Sequence, residues 1–356
     1  MAMDPYNLVR SFLHLFDPEI AHGIAIKFLK LNFTGGNGAP DDPILTQTLW
    51  GLKFPNPIGL AAGFDKDAEV PDAMLRNGFG FVETGTVTPL PQLGNPRPRL
   101  FRLAADEAAI NRLGFNSGGL DHYAKKLAAR KGKGGIVGAN IGKNKETEKA
   151  EIDYKIGVER VTPLANYVVV NISSPNTQGL RDLQARQSLE TLLQASLKAR
   201  DKHLANATKI PPLLVKVAPD LSKDEIRDIA EVSLTTGIDG IIIGNTTLDR
   251  PDSLLSPEKK ETGGLSGKPL MEKSTSCLAE FWRLTEGKLP LVGCGGVSSA
   301  DDAYAKIRAG ASLVQLYTAL VFQGPRLPAR IARGLAALLK RDGFRNVADA
   351  VAADLR

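Results

Sequence analysis

Cysteine and histidine are scarce in this chain: 356 residues hold two cysteines, Cys277 and Cys294, and four histidines. Two cysteines without paired spacing support neither a disulfide framework nor a zinc cluster, and they fit a reducing compartment. No run of 18 apolar residues occurs, which argues against a membrane-spanning helix but leaves room for one lying on the surface. The N-terminus lacks the charged, apolar and small-residue series of a secretory signal. Charge of either sign is not concentrated. The 45 Lys+Arg against 39 Asp+Glu form no basic cluster of the kind that binds nucleic acid, although a mild excess suits anionic ligands or lipid headgroups. A Gly-x-Gly-x-x-Gly opening to a βαβ unit is also missing, so no nicotinamide-binding module is expected.

With 43% hydrophobic residues the chain can bury a full core. The first 31 residues read as two short amphipathic helices. Leu8, Phe12 and Leu15, with Val9, Leu13 and Phe16, recur at helical spacing up to Asp17-Pro18. Asp17 then reads as an N-cap with Pro18 in the first helical position, ahead of an apolar face of Ile20, Ile24, Phe28 and Leu31. Those faces must meet the main body, a membrane interface, or both. Residues 32–43 are rich in Gly, Pro, Asn and Asp and read as a linker.

Beyond it, short apolar runs alternate with helical patterns. Eight runs are expected as strands: Ile58–Ala62, Gly80–Glu83, Ile136–Asn140, Tyr167–Asn171, Leu213–Val217, Gly240–Ile243, Leu289–Cys294 and Leu313–Tyr317. Expected helices include Lys223–Thr236, Ala300–Arg308 and Arg326–Lys340. Eight such units predict an α/β (β/α)8 TIM barrel, with chemistry at the C-terminal strand ends. Those ends carry Asp65, Lys66, Thr84, Thr86, Asn140, Asn171, Lys216, Asn245, Thr246, Tyr317 and Thr318. Any one of these could serve only to cap a helix; their convergence is harder to explain that way. Gly293, Gly295 and Gly296 after the seventh strand, and Tyr317-Thr318-Ala319 after the eighth, occupy the usual phosphate position of this fold.

Six ordered motifs now carry a resemblance. Gly-Leu-Ala-Ala-Gly-Phe-Asp-Lys ends at Lys66, Asn-Arg-Leu-Gly-Phe-Asn-Ser starts at Asn111, and Val-Asn-Ile-Ser-Ser-Pro-Asn-Thr starts at Val170. Gly-Asn-Thr-Thr from Gly244, Leu-Ser-Gly-Lys-Pro-Leu from Leu265 and Gly-Cys-Gly-Gly-Val from Gly293 follow. Together they resemble the dihydroorotate dehydrogenases over nearly the whole chain. Ser174, where soluble class 1 members carry cysteine, and the N-terminal helices resemble the class 2, quinone-using branch.

The resemblance implies oxidation of dihydroorotate to orotate with FMN, one per chain, as hydride acceptor and a quinone as final acceptor, the fourth step of de novo pyrimidine biosynthesis. It implies Ser174 as the base, Thr177 as its relay partner and Phe115 as a shield against solvent. The FMN shell would comprise Ala62, Gly63, Phe64, Asp65, Lys66, Thr86, Asn140, Asn171, Lys216, Gly244, Gly267, Gly296, Tyr317 and Thr318. Gly244 is a departure, since relatives often carry a hydroxyl residue there. Lys66, Asn111, Arg112, Leu113, Gly114, Phe115, Asn171, Asn176, Asn245 and Thr246 would hold the substrate, whose carboxylate needs a cation and whose ureide needs groups that both donate and accept. His22, Arg102 and Tyr317 are the candidates beside the quinone head. Residues 1–40 would form a membrane and quinone-tunnel extension with its linker, and residues 41–356 the FMN-binding barrel. A peripheral monomer on the cytoplasmic side of a bacterial inner membrane is expected, with no metal and no nucleic acid. Two other readings stand beside this one: a different FMN barrel acting on dihydropyrimidine or dihydrouridine, and a non-catalytic flavin-binding barrel. The first usually needs extra domains or cysteine motifs; the intact Ser174, Lys66 and asparagine shell speak against the second.

Overall fold

A computed structural model describes residues 6–31, 38, 42–203 and 210–356, so most of the expected linker lies outside the described residues. The strands in chain order are β1 (Gln47–Leu49), β2 (Leu52–Phe54), β3 (Ile58–Leu60), β4 (Phe81–Val87), β5 (Leu100–Leu103), β6 (Ala108–Asn111) and β7 (Ile136–Ile141). They continue as β8 (Tyr167–Asn171), β9 (Leu213–Val217), β10 (Gly240–Ile243), β11 (Gly264–Gly267), β12 (Leu291–Cys294) and β13 (Ala311–Leu316). Eight of them, β3, β4, β7, β8, β9, β10, β12 and β13, close into a parallel barrel in that order, with β13 returning to β3. The expected eight-unit barrel is therefore the fold, with each expected strand in its place. β4 runs further than expected, to Val87, and is buried along its whole length.

The helices are α1 (Tyr6–Leu13), α2 (Pro18–Lys30), α3 (Pro71–Arg76), α4 (Leu120–Ala128), α5 (Ala150–Val161), α6 (Arg186–Asp201), α7 (Lys223–Thr236), α8 (Met271–Thr285), α9 (Ala300–Arg308), α10 (Ala319–Gln323) and α11 (Leu327–Arg341). Most of α3 to α11 ring the barrel, and their apolar faces form one continuous core with the outer face of the strands. Ser222 and Glu225 close a reciprocal cap at the start of α7, satisfying donors that a helix start leaves free.

Two additions were not expected. The antiparallel hairpin β1–β2 plugs the N-terminal end of the barrel, with Phe54 fully buried edge-on against Phe81. Strands β5, β6 and β11 form a separate antiparallel sheet over a small core of Leu103, Ala108, Ile110, Leu254 and Leu265.

The N-terminal helices dock on the body through one face and leave another open. Asp17 caps α2, accepting from the N–H groups of Glu19 at 2.9 Å and Ile20 at 3.1 Å. Ala21, Ile26 and Leu29 of α2 are buried, and Glu19 receives the buried Arg99 guanidinium at 2.7 Å and Arg97 at 3.0 Å. From α1, the Tyr6 hydroxyl donates to Val321 O at 2.9 Å and Arg10 to Phe322 O at 3.0 Å. Of the stripe expected as the apolar face of α2, Ile20, Phe28 and Leu31 are exposed and Ile24 is half-buried; Phe12 and Leu15 are exposed too. Among the described residues no helix is long and apolar enough to cross a membrane.

Candidate active site

A cavity of about 280 Å³ occupies the C-terminal mouth of the barrel and runs out between the two N-terminal helices. Seven of the eight strands contribute lining residues at or just past their ends: Ala61 to Phe64, Thr86, Asn171 with Ser174, Lys216, Gly244 to Thr246, Cys294 to Gly296, and Leu316 to Thr318. The eighth, β7, acts from behind. Asn140 accepts from the Thr86 hydroxyl at 2.5 Å and from Asn171 Nδ2 at 3.1 Å, and donates to the fully buried Glu83 at 2.7 Å. Glu83 also receives Gln315 Nε2 at 2.7 Å and Tyr167 OH at 3.3 Å. A buried carboxyl group with three donors fixes the amide above it, because rotating Asn140 would cost Glu83 one of them.

A chain of amides and hydroxyls continues round the mouth. Asn171 Nδ2 donates to Thr86 Oγ1 at 2.9 Å, its Oδ1 accepts from the Ser173 hydroxyl at 2.6 Å, and Ser173 Oγ accepts from Asn245 Nδ2 at 2.8 Å. Asn176 donates to Asn111 Oδ1 at 3.3 Å, and Asn95 Nδ2 donates to Asn176 O at 3.2 Å. Ser174 is buried and its Oγ accepts from the Asn176 N–H at 3.2 Å. Thr177 Oγ1 is buried without a partner among the described residues, as is Thr246 Oγ1, which lines the cavity. Arg181 clamps this region from outside, donating to Ser173 O at 3.0 Å, Thr246 O at 2.9 Å and Asp220 at 2.9 Å.

Three lysines line the cavity, Lys66, Lys216 and Lys268, the last paired with Glu107 at 3.6 Å. Lys66 donates to Asn116 Oδ1 at 2.5 Å, and burial, helped by Arg99, pushes its ammonium down to about 8, so it stays cationic at neutral pH. Lys216 is buried and makes no ion pair among the described residues. Phe115 lies over Gly142, where a Cβ would come within 2.8 Å of its ring. Its backbone, like that of Gly114, is left-handed, with φ of 54° and 70°. A bulky residue held there is a sign of a constrained loop at a working site.

At the outer end, His22 of α2 meets Phe64 edge-on at 5.2 Å, and Phe64 meets Tyr317 at 5.4 Å. Burial pushes the His22 imidazole down to about 4, with Lys66 adding to the effect, so it is neutral at pH 7. Arg102 donates to His14 O at 3.3 Å, while its Nε is buried without a partner among the described residues. Tyr6, Leu13, His14, Pro18, Ala21 and Ala25 complete this end.

Most residues expected at the site line this one cavity, but Asn140, which acts from behind, and three others do not. Asp65 spends its carboxylate on the Glu69 and Val70 N–H groups, at 2.7 and 2.8 Å, turning the chain into α3. Arg112 pairs with Glu261 at 2.7 Å and stacks over Phe101 at 4.5 Å. Thr177 is buried but does not line the cavity. Sequence reasoning missed Glu83, Arg181 and His14. A carboxylate inside the apolar run Phe-Val-Glu-Thr was the available signal for Glu83.

A closed parallel barrel with a cavity at its C-terminal mouth, lined by polar groups from several strand ends, defines an enzyme of the (β/α)8 class. The family model described as dihydroorotate dehydrogenase matches residues 44–339. A protein of Azorhizobium caulinodans named dihydroorotate dehydrogenase (quinone) is 60% identical, covering 99% of this chain and all of that one. The mitochondrial protein of that name from Arabidopsis thaliana is 49% identical, covering 98% of this chain and 82% of that one. A crystal structure of DHODH from Eimeria tenella in complex with ferulenol superposes with a TM-score of 0.92 at 45% identity, over 96% of both chains. This chain belongs to the dihydroorotate dehydrogenase family.

Proposed function

We propose that the protein oxidises dihydroorotate to orotate, with FMN as bound hydride acceptor and a membrane quinone as final acceptor, as the fourth step of de novo pyrimidine biosynthesis. The observation that carries this reading is one cavity with two unlike ends. Ser174, two lysines and a ring of amides stand at the inner end; the inward faces of α1 and α2, with His22, Arg102 and Tyr317, stand at the outer end. The curated relatives are named as quinone enzymes, which matches an apolar outer route.

The residues present suit a flavin mononucleotide. Gly295 and Gly296 have φ of 110° and 83°, and a Cβ on Gly296 would lie 2.3 Å from Met271 Cα, so only bare backbone fits the turn where a phosphate would sit. Thr318 and Ser266, joined at 2.9 Å, add hydroxyls beside it. The buried, unpaired Lys216 suits a group that gains negative charge on reduction. When bound, FMN supplies the acceptor for the hydride from substrate C6.

The protein's own part is positional and protolytic. Lys66 supplies the cation for the substrate carboxylate, and Asn111, Asn176, Asn245 and Thr246 meet the ureide edge with donors and acceptors. Ser174 takes the C5 proton and passes its own toward Thr177, while Phe115 keeps bulk water away from that transfer. The exposed apolar stripe on α1 and α2 suits peripheral membrane contact. A steady-state assay with dihydroorotate and either quinone or fumarate tests the reading. Turnover with quinone and none with fumarate is expected; turnover only with fumarate would overturn the acceptor, and no turnover with either would overturn the reaction.

A further inference from the structure

Lys306 of α9 is fully buried, yet it does not line the cavity and forms no ion pair among the described residues. A buried ammonium without a carboxylate is costly and calls for a reason. Its stem lies against β12, where a Cβ on Gly293 would come within 3.1 Å of Lys306 Cδ. Its Nζ donates to Ser274 Oγ at 2.8 Å and Thr275 Oγ1 at 3.0 Å, and Ser274 Oγ donates to Gly295 O at 3.0 Å, the nearer of its two acceptors, Met271 O lying at 3.2 Å. Gly295 O and Gly296 N–H belong to the same peptide, and in a trans peptide the two point in opposite directions. Anchoring the carbonyl back toward α8 therefore aims the Gly296 N–H away from the helix, toward the cavity.

The geometry points to Lys306 as a positioning residue for the cofactor phosphate, acting through Ser274 to orient and polarise the Gly295–Gly296 peptide. This rests on the FMN reading above. A charged donor at the head of a hydrogen-bond chain strengthens each bond after it, so the last N–H becomes a better partner for an anion. The dianion in turn supplies the countercharge that Lys306 lacks. Burial pushes this ammonium down to about 8, leaving it charged at neutral pH.

The test compares FMN with riboflavin, which lacks the phosphate, by quenching of flavin fluorescence on protein stripped of its flavin. Lys306→Met should weaken FMN binding about tenfold or more and leave riboflavin binding within about twofold. Ser274→Ala, which removes the relay but not the charge, should reduce the same FMN preference, and it decides the matter if Lys306→Met does not fold. Unchanged FMN affinity, or equal losses for both flavins, would overturn the role of Lys306. Wild-type protein that binds riboflavin as tightly as FMN would instead overturn the phosphate site itself.

Discussion

A serine hydroxyl keeps its proton at neutral pH, so Ser174 can act as a base only if that proton has somewhere to go. The Thr177 hydroxyl, three residues on and buried without a partner among the described residues, is the proposed recipient. Ser174→Ala should leave orotate and flavin binding nearly intact and slow flavin reduction by roughly 10²–10⁴-fold, as measured in single-turnover stopped flow. A reduction rate within about threefold of wild type would remove Ser174 from the chemistry. His22 carries a different expectation. Its folded pKa is lowered from 6.5 to about 4, so the unfolded chain takes up the proton first as the pH falls. Stability contributed by neutral His22 is thus full above pH 6.5 and is lost progressively on the way down to about 4. On thermal denaturation, wild type should lose ground to His22→Gln across that window; a gap independent of pH would mean that the ring is solvated. Of the residues proposed to hold ligand, Asn171 and Asn245 were legible in the sequence because they stand at or just past the ends of the apolar runs of β8 and β10, and Asn111 because a family motif starts there. Glu83, Arg181 and Lys306 were not, because each works through a neighbour from a distant strand, loop or helix, and no local pattern records that partnership.

Parallel strands buried on both faces are continuous apolar runs, which is why all eight barrel strands could be read to within a few residues. The hairpin β1–β2 escaped because its turn is Trp50-Gly51, with φ of 54° and 71°, rather than the Asn-Gly usual where two successive residues are left-handed. The sheet of β5, β6 and β11 escaped because Gly264–Gly267 pairs with Ala108–Asn111, far away in sequence. Short strands become visible only with their partners. For α2, periodicity identified an apolar stripe but not its direction, since the buried side is made of the small Ala21 and Ala25 together with Ile26 and Leu29. The outward stripe carries the membrane expectation. Replacing Phe12, Phe28 and Leu31 together by serine should abolish sedimentation with liposomes while leaving the melting temperature and the dihydroorotate half-reaction unchanged. That binding should depend little on salt, because Arg10, Lys27 and Lys30 balance Asp4, Asp17 and Glu19 over residues 1–31. Liposome binding retained by the triple variant would assign the stripe another partner.

A ligand that filled the cavity would meet seven strand ends at once and tie the whole barrel together. Purified protein should be yellow, with about one FMN per chain, and stripping the flavin should lower its melting temperature. Restoring FMN to a hundred times its dissociation constant should return about 2.7 kcal/mol, read by calorimetry; stability indifferent to flavin would argue against the cofactor. The barrel's closure has another consequence, for the chain's birth on the ribosome. Val314 of β13 pairs with Ile58 of β3, so the first barrel strand waits for a partner that is synthesised almost last. At ~5–20 residues per second that wait lasts on the order of ten to fifty seconds. Throughout it, Ile58–Leu60 presents an apolar open edge of the kind that recruits other strands. Nascent chains of this protein are therefore expected clients for chaperones, and fragments that end between β12 and β13 should keep the open edges of β3 and β12 and self-associate through them.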